Sequence, residues 1–208
     1  SLHSFSTMLN RTRRRDIQDF CVRRSHTIST EFTEYQRELH DELLKFEKSA
    51  LSTLHDPRSV PFMMSTIKRQ ASSCIFGLAP HIRDIIGRRL QQMNDDPDLE
   101  YSAYDANEKD TEIISQLAGK VLRLADNLPT EDPKLDALLQ ILERKQNEKS
   151  NKIMLFSTFR HTLGYLRRKL QTAGYRTGQI DGSVRDEDRY LLKERFELPR
   201  ENQDAIDI

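Results

Sequence analysis

The spacing of apolar residues predicts a long amphipathic helix near the start of the chain. Between residues 32 and 54 apolar side chains recur every three or four positions, which is the spacing of one face of an α-helix. Thr33 and Gln36 form a capping-box pattern at the start of this stripe. In that pattern two side chains satisfy two free backbone N–H groups at a helix start. We therefore predict a helix over residues 34–55.

The same periodicity predicts four more helical segments in the middle of the chain. Three stripes cover residues 67–78, 82–93 and 113–124, and Pro80 is predicted as the first residue of the helix that carries the second stripe. Further along, Asp132 and Pro133 suit the cap and the first turn of a helix. The buried face of this last helix consists of leucines: Leu135, Leu138, Leu139 and Leu142.

Short apolar runs replace the long stripes at residue 152. Residues 152–156, 175–181 and 204–208 read as strands, with helices predicted between them over 159–173 and 185–197. The order β-α-β-α-β is typical of a parallel sheet with helices on its faces. We therefore expect an α/β fold overall, with a mostly helical N-terminal two-thirds followed by a partial parallel sheet. Because the last strand lacks a covering helix, we expect the domain to continue past residue 208.

Charge and composition narrow the class of protein. The chain has 33 basic and 33 acidic residues, whereas a free-standing nucleic-acid binder is usually basic overall. The charges are segregated, with arginines concentrated in residues 11–15 and acids in residues 94–110, which we read as an exposed loop. We see no secretory leader and no apolar run of the ~20 residues that a membrane span needs, so we expect a cytoplasmic protein without membrane contact.

The candidate chemistry lies where predicted strands end. The sequence contains no G-x-x-x-x-G-K-S/T loop, so we expect no nucleotide site in this chain. Ser157-Thr158 and Asp181-Gly182-Ser183 each follow a predicted strand, and ligands bind at the carboxyl ends of parallel strands. Hydroxyl and N–H groups at a helix start favour a phosphate. The residues alone favour the plainer reading, in which Ser157 is only a helix cap and Gly182 only a turn glycine, because turns from strand to helix need such residues anyway.

Several segments, in order, resemble the Swi2/Snf2-type ATPases of helicase superfamily 2. The likeness is to the bacterial branch related to the RNA polymerase recycling ATPase, and Asn10 departs from it by replacing an arginine. The matching segments are residues 8–17 (end of a first RecA-like lobe), 32–43 (exit strand and helix), 67–73 (Arg-x-x-x-Ser-Ser helix), 132–142 (start of a second lobe), 152–170 (motif IV), 175–184 with 188–196 (motif IVa region) and 204–208 (strand before motif V).

The resemblance implies a domain organisation and a function. It divides this internal fragment into the end of lobe one (1–32), a helical insertion between the lobes (33–130) and the first half of a RecA-like lobe two (131–208). The intact protein would be an ATP- and Mg²⁺-dependent double-stranded DNA translocase that remodels protein–DNA complexes, with RNA polymerase or another DNA-bound complex as its protein target. No catalytic or metal-binding residue is expected here, and no ATPase activity of the fragment alone.

The resemblance also assigns a DNA-backbone site, and it places the basic residues 11–15 at the junction of the lobes without a ligand. The residues expected to contact the DNA backbone are Ser157, Thr158, Arg160, Asp181, Gly182 and Ser183. Two other readings of the sequence stay open. One is a non-enzymatic helical adaptor with a small α/β appendage that binds protein partners. The other is a complete small flavodoxin-like domain that binds a nucleotide or a phosphate.

Overall fold

The computed structural model describes residues 25–95, 108–148 and 151–208. Within these ranges the chain forms helices at each place where apolar periodicity predicts one. They are α1 (Glu34–Leu54), α2 (Val60–Ser73), α3 (Ile75–Leu78), α4 (Ile82–Asp95), α5 (Glu108–Asp126), α6 (Pro133–Gln146), α7 (Arg160–Thr172) and α8 (Asp186–Glu197), with a 3₁₀ turn at Ala79–His81. No helix among these is long and apolar enough to cross a lipid bilayer.

Local capping interactions begin and end these helices. At the start of α1, Thr33 Oγ1 accepts a hydrogen bond from the Gln36 N–H (3.3 Å), and Gln36 Oε1 accepts one from the Thr33 N–H (3.2 Å). At the start of α6, Asp132 Oδ1 accepts from two backbone N–H groups at 3.1 Å. Gly174 follows α7 with a φ of 87°, a conformation that favours glycine. The predicted caps and the predicted end of α7 are confirmed.

The main core lies between α1, α3, α4 and α5. The side chains of Leu39, Phe46, Ile82 and Val121 are completely buried there. Burying one such aliphatic or aromatic side chain contributes about 1.5–3 kcal/mol. The long apolar faces of α1 and α5 therefore hold the bundle together. The short α3 adds Ile75 and Leu78 to this core and also contacts α7.

The expected α/β fold class is wrong, because the described residues contain no β-strand. The RecA-like parallel sheet expected within residues 131–208 is not present. The three predicted strand segments have no regular secondary structure, and only scattered backbone hydrogen bonds join them, such as Ile153 N–H to Asp207 O (3.1 Å) and Asp207 N–H to Arg176 O (2.8 Å). Residues 152–156 were expected to be buried on both faces, whereas Phe156 is 90% exposed.

Two further expectations change or stay open. The acidic loop predicted over 94–110 is shorter at its ends, since α4 continues to Asp95 and α5 begins at Glu108. Its central part, residues 96–107, and the basic cluster of residues 11–15 lie outside the described residues. The domain boundaries after residues 32 and 130 stay predictions.

Candidate functional site

The first predicted contact region is the turn that leads into α7. Ser157 Oγ accepts a hydrogen bond from the Phe159 N–H (3.2 Å), so the serine hydroxyl shapes the turn two residues before the helix. The residue at the N-cap position is Phe159, whose side chain makes no capping hydrogen bond. Thr158 is exposed. The helix therefore starts with Arg160 and with first-turn N–H groups that no side chain caps.

The second predicted contact region is a tight turn around Asp181. Its Oδ1 accepts from the Ser183 N–H (2.8 Å) and from the Ser183 hydroxyl (2.6 Å), while Oδ2 accepts from Gln179 Nε2 (3.0 Å). These bonds, first of all those from Ser183, hold the pKa of the Asp181 carboxyl well below its usual range. Asp181 therefore carries a full negative charge at neutral pH. Gly182 is exposed, and a Cβ added to it would meet no atom within 4 Å.

Arg160 joins the two turns. Its Nη2 donates to Asp181 Oδ1 at 3.0 Å and to the Ser183 hydroxyl at 2.9 Å. The arginine side chain is 68% exposed. The structure thus brings together Arg160, Asp181 and Ser183 of the predicted set. Ser157 and Gln179 line one small cavity of about 140 Å³ beside α7. Ser157, Thr158 and Gly182 take no part in the hydrogen bonds that join Arg160, Asp181 and Ser183.

A second arginine supports the turn and was not predicted. Arg189 in the first turn of α8 donates from Nε to the Val184 carbonyl (2.9 Å) and from Nη2 to the Asp181 carbonyl (3.1 Å). It satisfies backbone oxygens of the 181–184 turn and so fixes the turn's position on α8. The acidic first turn of α8 contains no sequence pattern that distinguishes this arginine from a solvated one.

A polar junction lies behind the α7 turn. The Tyr165 hydroxyl donates to Asp132 Oδ2 (2.7 Å), and burial raises the pKa of this tyrosine far above its usual value. Ser73 Oγ and Thr162 Oγ1 lie 2.9 Å apart, and Lys134 Nζ donates to the Ser73 carbonyl at 2.8 Å. These groups border a cleft of about 660 Å³ where α2, α3, α6 and α7 meet. The sequence pattern indicates Asp132 only as a helix cap.

Comparison with models of protein families, with characterised proteins and with solved structures found no match to the chain. The resemblance of its segments to Snf2 ATPases and the geometry of the Arg160 cluster are therefore the two grounds for a functional proposal.

Proposed function

We propose that this chain is part of a Snf2-type, ATP-dependent double-stranded DNA translocase, and that its turns 157–160 and 181–183 contact the DNA backbone. The observation that carries the proposal is the bridge from Arg160 to Asp181 and Ser183. Both turns were predicted from the sequence as phosphate contacts, and in the structure they meet at one exposed guanidinium. Such an ATPase would act in the cytoplasm.

The guanidinium geometry suits a phosphate. An arginine carries five N–H donors, and the two hydrogen bonds of Arg160 to Asp181 and Ser183 both come from Nη2. Within the described residues, its Nε and Nη1 make no other hydrogen bond. Asp181 and Ser183 hold the side chain in place, so less rotamer freedom is lost when it binds a ligand. The backbone N–H groups at the start of α7 supply a second favourable interaction for an anion.

The site has no excess of positive charge, because Asp181 offsets Arg160. Arg167 and Arg168 on α7 are exposed and add positive charge nearby on the same helix, whereas α8 begins with three acidic residues. We therefore expect moderate affinity for duplex DNA, with a modest dependence on salt and a strong dependence on the position of Arg160.

Fluorescence anisotropy with a labelled DNA duplex tests the proposal on the 208-residue chain. Arg160→Ala should weaken binding about tenfold and lower the slope of log K against log salt by about 1, as expected for one lost phosphate contact. Arg83→Ala is the matched control, since Arg83 is 66% exposed and donates to Asp126 at 3.0 Å. Absence of DNA binding by the wild-type chain, or equal effects of the two variants, would refute the proposed contact.

ATP and Mg²⁺ would be bound elsewhere in the intact protein, since this sequence contains no phosphate-binding loop. We accordingly expect the purified chain to hydrolyse no ATP, with or without duplex DNA. A coupled phosphate-release assay measures this directly. Turnover that survives repurification and is abolished by a point substitution in this chain would contradict the assignment.

Exposed apolar side chains favour a second candidate function, a protein-interaction module. Phe156 is 90% exposed, and Met154 (65%) and Ile180 (50%) are also exposed. Under this alternative the chain would bind a protein partner through these side chains, and RNA polymerase serves as the test protein. Phe156→Ser, rather than Arg160→Ala, should then abolish binding to RNA polymerase immobilised on a biosensor surface. If instead Arg160→Ala weakens binding to duplex DNA more than Phe156→Ser does, the translocase is favoured.

A further inference from the structure

The start of α7 lies unusually close to α3. A Cβ placed on Gly77 would lie 2.7 Å from the His161 carbonyl oxygen and 3.2 Å from Tyr165 Cβ. Real Cβ atoms do not approach a backbone oxygen this closely, so no other residue fits between the two helices as they stand. His161 directly follows Arg160, the residue that bridges the two turns.

Two hydrogen bonds fix the same stretch of α7 from other sides. Thr162 Oγ1 and the Ser73 hydroxyl at the end of α2 lie 2.9 Å apart. One turn later, the buried Tyr165 hydroxyl donates to Asp132 at the start of α6. The first two turns of α7 are therefore held by α2, α3 and α6 together.

The other side of this contact is anchored in the bundle core. Ile75 and Leu78, which flank Gly77 on α3, are 2% and 3% exposed and belong to the main core. The Gly77 N–H also donates to Cys74 Sγ at 3.2 Å. Because α3 cannot move without disturbing the core, the contact at Gly77 fixes the backbone of His161, the residue next to Arg160, relative to the bundle.

We propose that the helical bundle positions Arg160 for the DNA backbone through α3, and that Gly77 is the positioning residue at this contact. The inference rests on the proposed function. Ordinary van der Waals contact begins at 3.4 Å, so a methyl group on Gly77 must push the two backbones about 0.7 Å apart. A shift of that size is enough to take the 2.9 Å bond from Arg160 to Ser183 beyond hydrogen-bonding distance.

Gly77→Ala tests the inference, with Gly87→Ala in α4 as the matched control. A Cβ on Gly87 would meet no atom within 4 Å. In the anisotropy assay Gly77→Ala should weaken DNA binding about five- to tenfold, close to the effect of Arg160→Ala, while Gly87→Ala binds as the wild type does. Thermal unfolding of each variant establishes that the compared samples are folded.

A double-mutant cycle separates positioning from a merely structural role. If Gly77 acts through Arg160, Gly77→Ala should weaken binding no further in the Arg160→Ala background. A structural role would lower the melting temperature but leave the affinity of the folded chain unchanged. An additive loss in the double variant, or a Gly77→Ala variant that binds like Gly87→Ala, overturns the inference while leaving the proposed function intact.

Tyr165→Phe provides a milder perturbation of the same contact if Gly77→Ala does not fold. It keeps the ring and removes only the hydroxyl that donates to Asp132. We expect a twofold to fivefold loss of DNA affinity that disappears in the Arg160→Ala background. An unchanged affinity, or a loss that persists without Arg160, overturns the inference. If Arg160→Ala itself has no effect, the proposed DNA contact and this inference fall together.

Discussion

Replacing Arg176 by lysine tests what holds the segment 175–181 to residues 200–207. Arg176 Nε and Nη2 donate to the two carboxylate oxygens of Asp207 at 2.9 and 2.8 Å. The same guanidinium donates to the carbonyls of Asn202 (2.6 Å) and Arg200 (2.9 Å). Four hydrogen bonds thus converge from one side chain on the final segment of the chain. A lysine has a single nitrogen and cannot reproduce the two-point contact with the carboxylate.

The expected loss in the free energy of unfolding depends on which hydrogen-bond partners of Arg176 are buried. Asp207 is only 9% exposed, so it cannot recover from water the bond that lysine fails to make. A hydrogen bond to a charged group contributes about 1.5–3 kcal/mol. The two carbonyls lie near the surface and can accept from water instead. Because the Arg176 side chain is itself 34% exposed, we take the lower part of the range and expect a loss of about 2 kcal/mol.

Urea unfolding at neutral pH measures this loss. Arg176→Lys should lower the midpoint without changing the slope m, and a loss of about 2 kcal/mol corresponds to a melting temperature about 4–8 °C lower. The control is Arg168→Lys on the exposed side of α7, which should change stability by less than about 0.5 kcal/mol. Equal losses in the two variants would refute the assigned role of Arg176.

The pH dependence supplies a second check. The hydrogen bonds from Arg176, more than any other interaction, hold the pKa of Asp207 below its usual value. A carboxyl with a lowered folded-state pKa stabilises the protein fully above its unfolded pKa of about 3.9, and this contribution is lost as the pH falls through the folded-state pKa. The difference between wild type and Arg176→Lys should therefore be largest at neutral pH and shrink below about pH 4. A difference independent of pH would contradict this assignment.

Three further predictions concern single side chains. Asp181→Asn keeps an acceptor for Ser183 but removes a charge that repels phosphate, so DNA binding should tighten about two- to tenfold in anisotropy; weaker binding would contradict the site. Burial lowers the pKa of His161, so stability should fall as the pH drops below about 6.5, and His161→Gln, but not the exposed His55→Gln, should flatten this decline in urea titrations. Tyr165→Phe should cost about 1.5–2 kcal/mol in urea unfolding, whereas the exposed Tyr190→Phe should cost under about 0.5; equal costs would argue against the buried bond.

The helices could be predicted because their signals are local. Thr33 and Gln36 cap α1 through residues three positions apart, and Asp132 caps α6 through the next two N–H groups that follow Pro133. Gly174 ends α7 through its own backbone conformation. Each of these interactions depends on a few neighbouring residues, so the sequence pattern contains all the information that is needed.

The sheet could not be predicted in the same way, because a strand depends on distant partners. The run of residues 152–156 is apolar enough for a buried strand, but a short apolar run does not indicate what covers it. In the structure one face of this segment is open at Met154 and Phe156. Among the described residues a single backbone hydrogen bond, from the Ile153 N–H to the Asp207 carbonyl, joins it to a distant part of the chain, so no regular ladder forms.

The candidate site could be predicted only in part, because its contacts also join residues that are distant in the sequence. The residue types at the starts of α7 and α8 pointed to two turns, but only the structure shows that Arg160 joins them. The supporting contacts of Arg189 and Tyr165 cross between elements and leave no local pattern. Gly77 did leave a signal, since a glycine within an apolar helical stripe indicates close packing, although the stripe alone does not identify His161 as its neighbour.

Because the site has no excess of positive charge, the effect of Gly77→Ala on DNA binding would distinguish a directed hydrogen bond from general electrostatic attraction. If DNA were attracted only by a diffuse positive patch, moving one arginine by about 0.7 Å would matter little, because the Coulomb energy of a pair about 5 Å apart in water changes by only about 0.1 kcal/mol. A directed hydrogen bond to a phosphate is worth about 1.5–3 kcal/mol and is lost over the same displacement. Since Asp181 already offsets the charge of Arg160, the proposed DNA contact would depend more on the direction of the hydrogen bond than on net charge. An uncharged substitution at Gly77 that weakens DNA binding as much as the loss of Arg160 would therefore identify the directed contact.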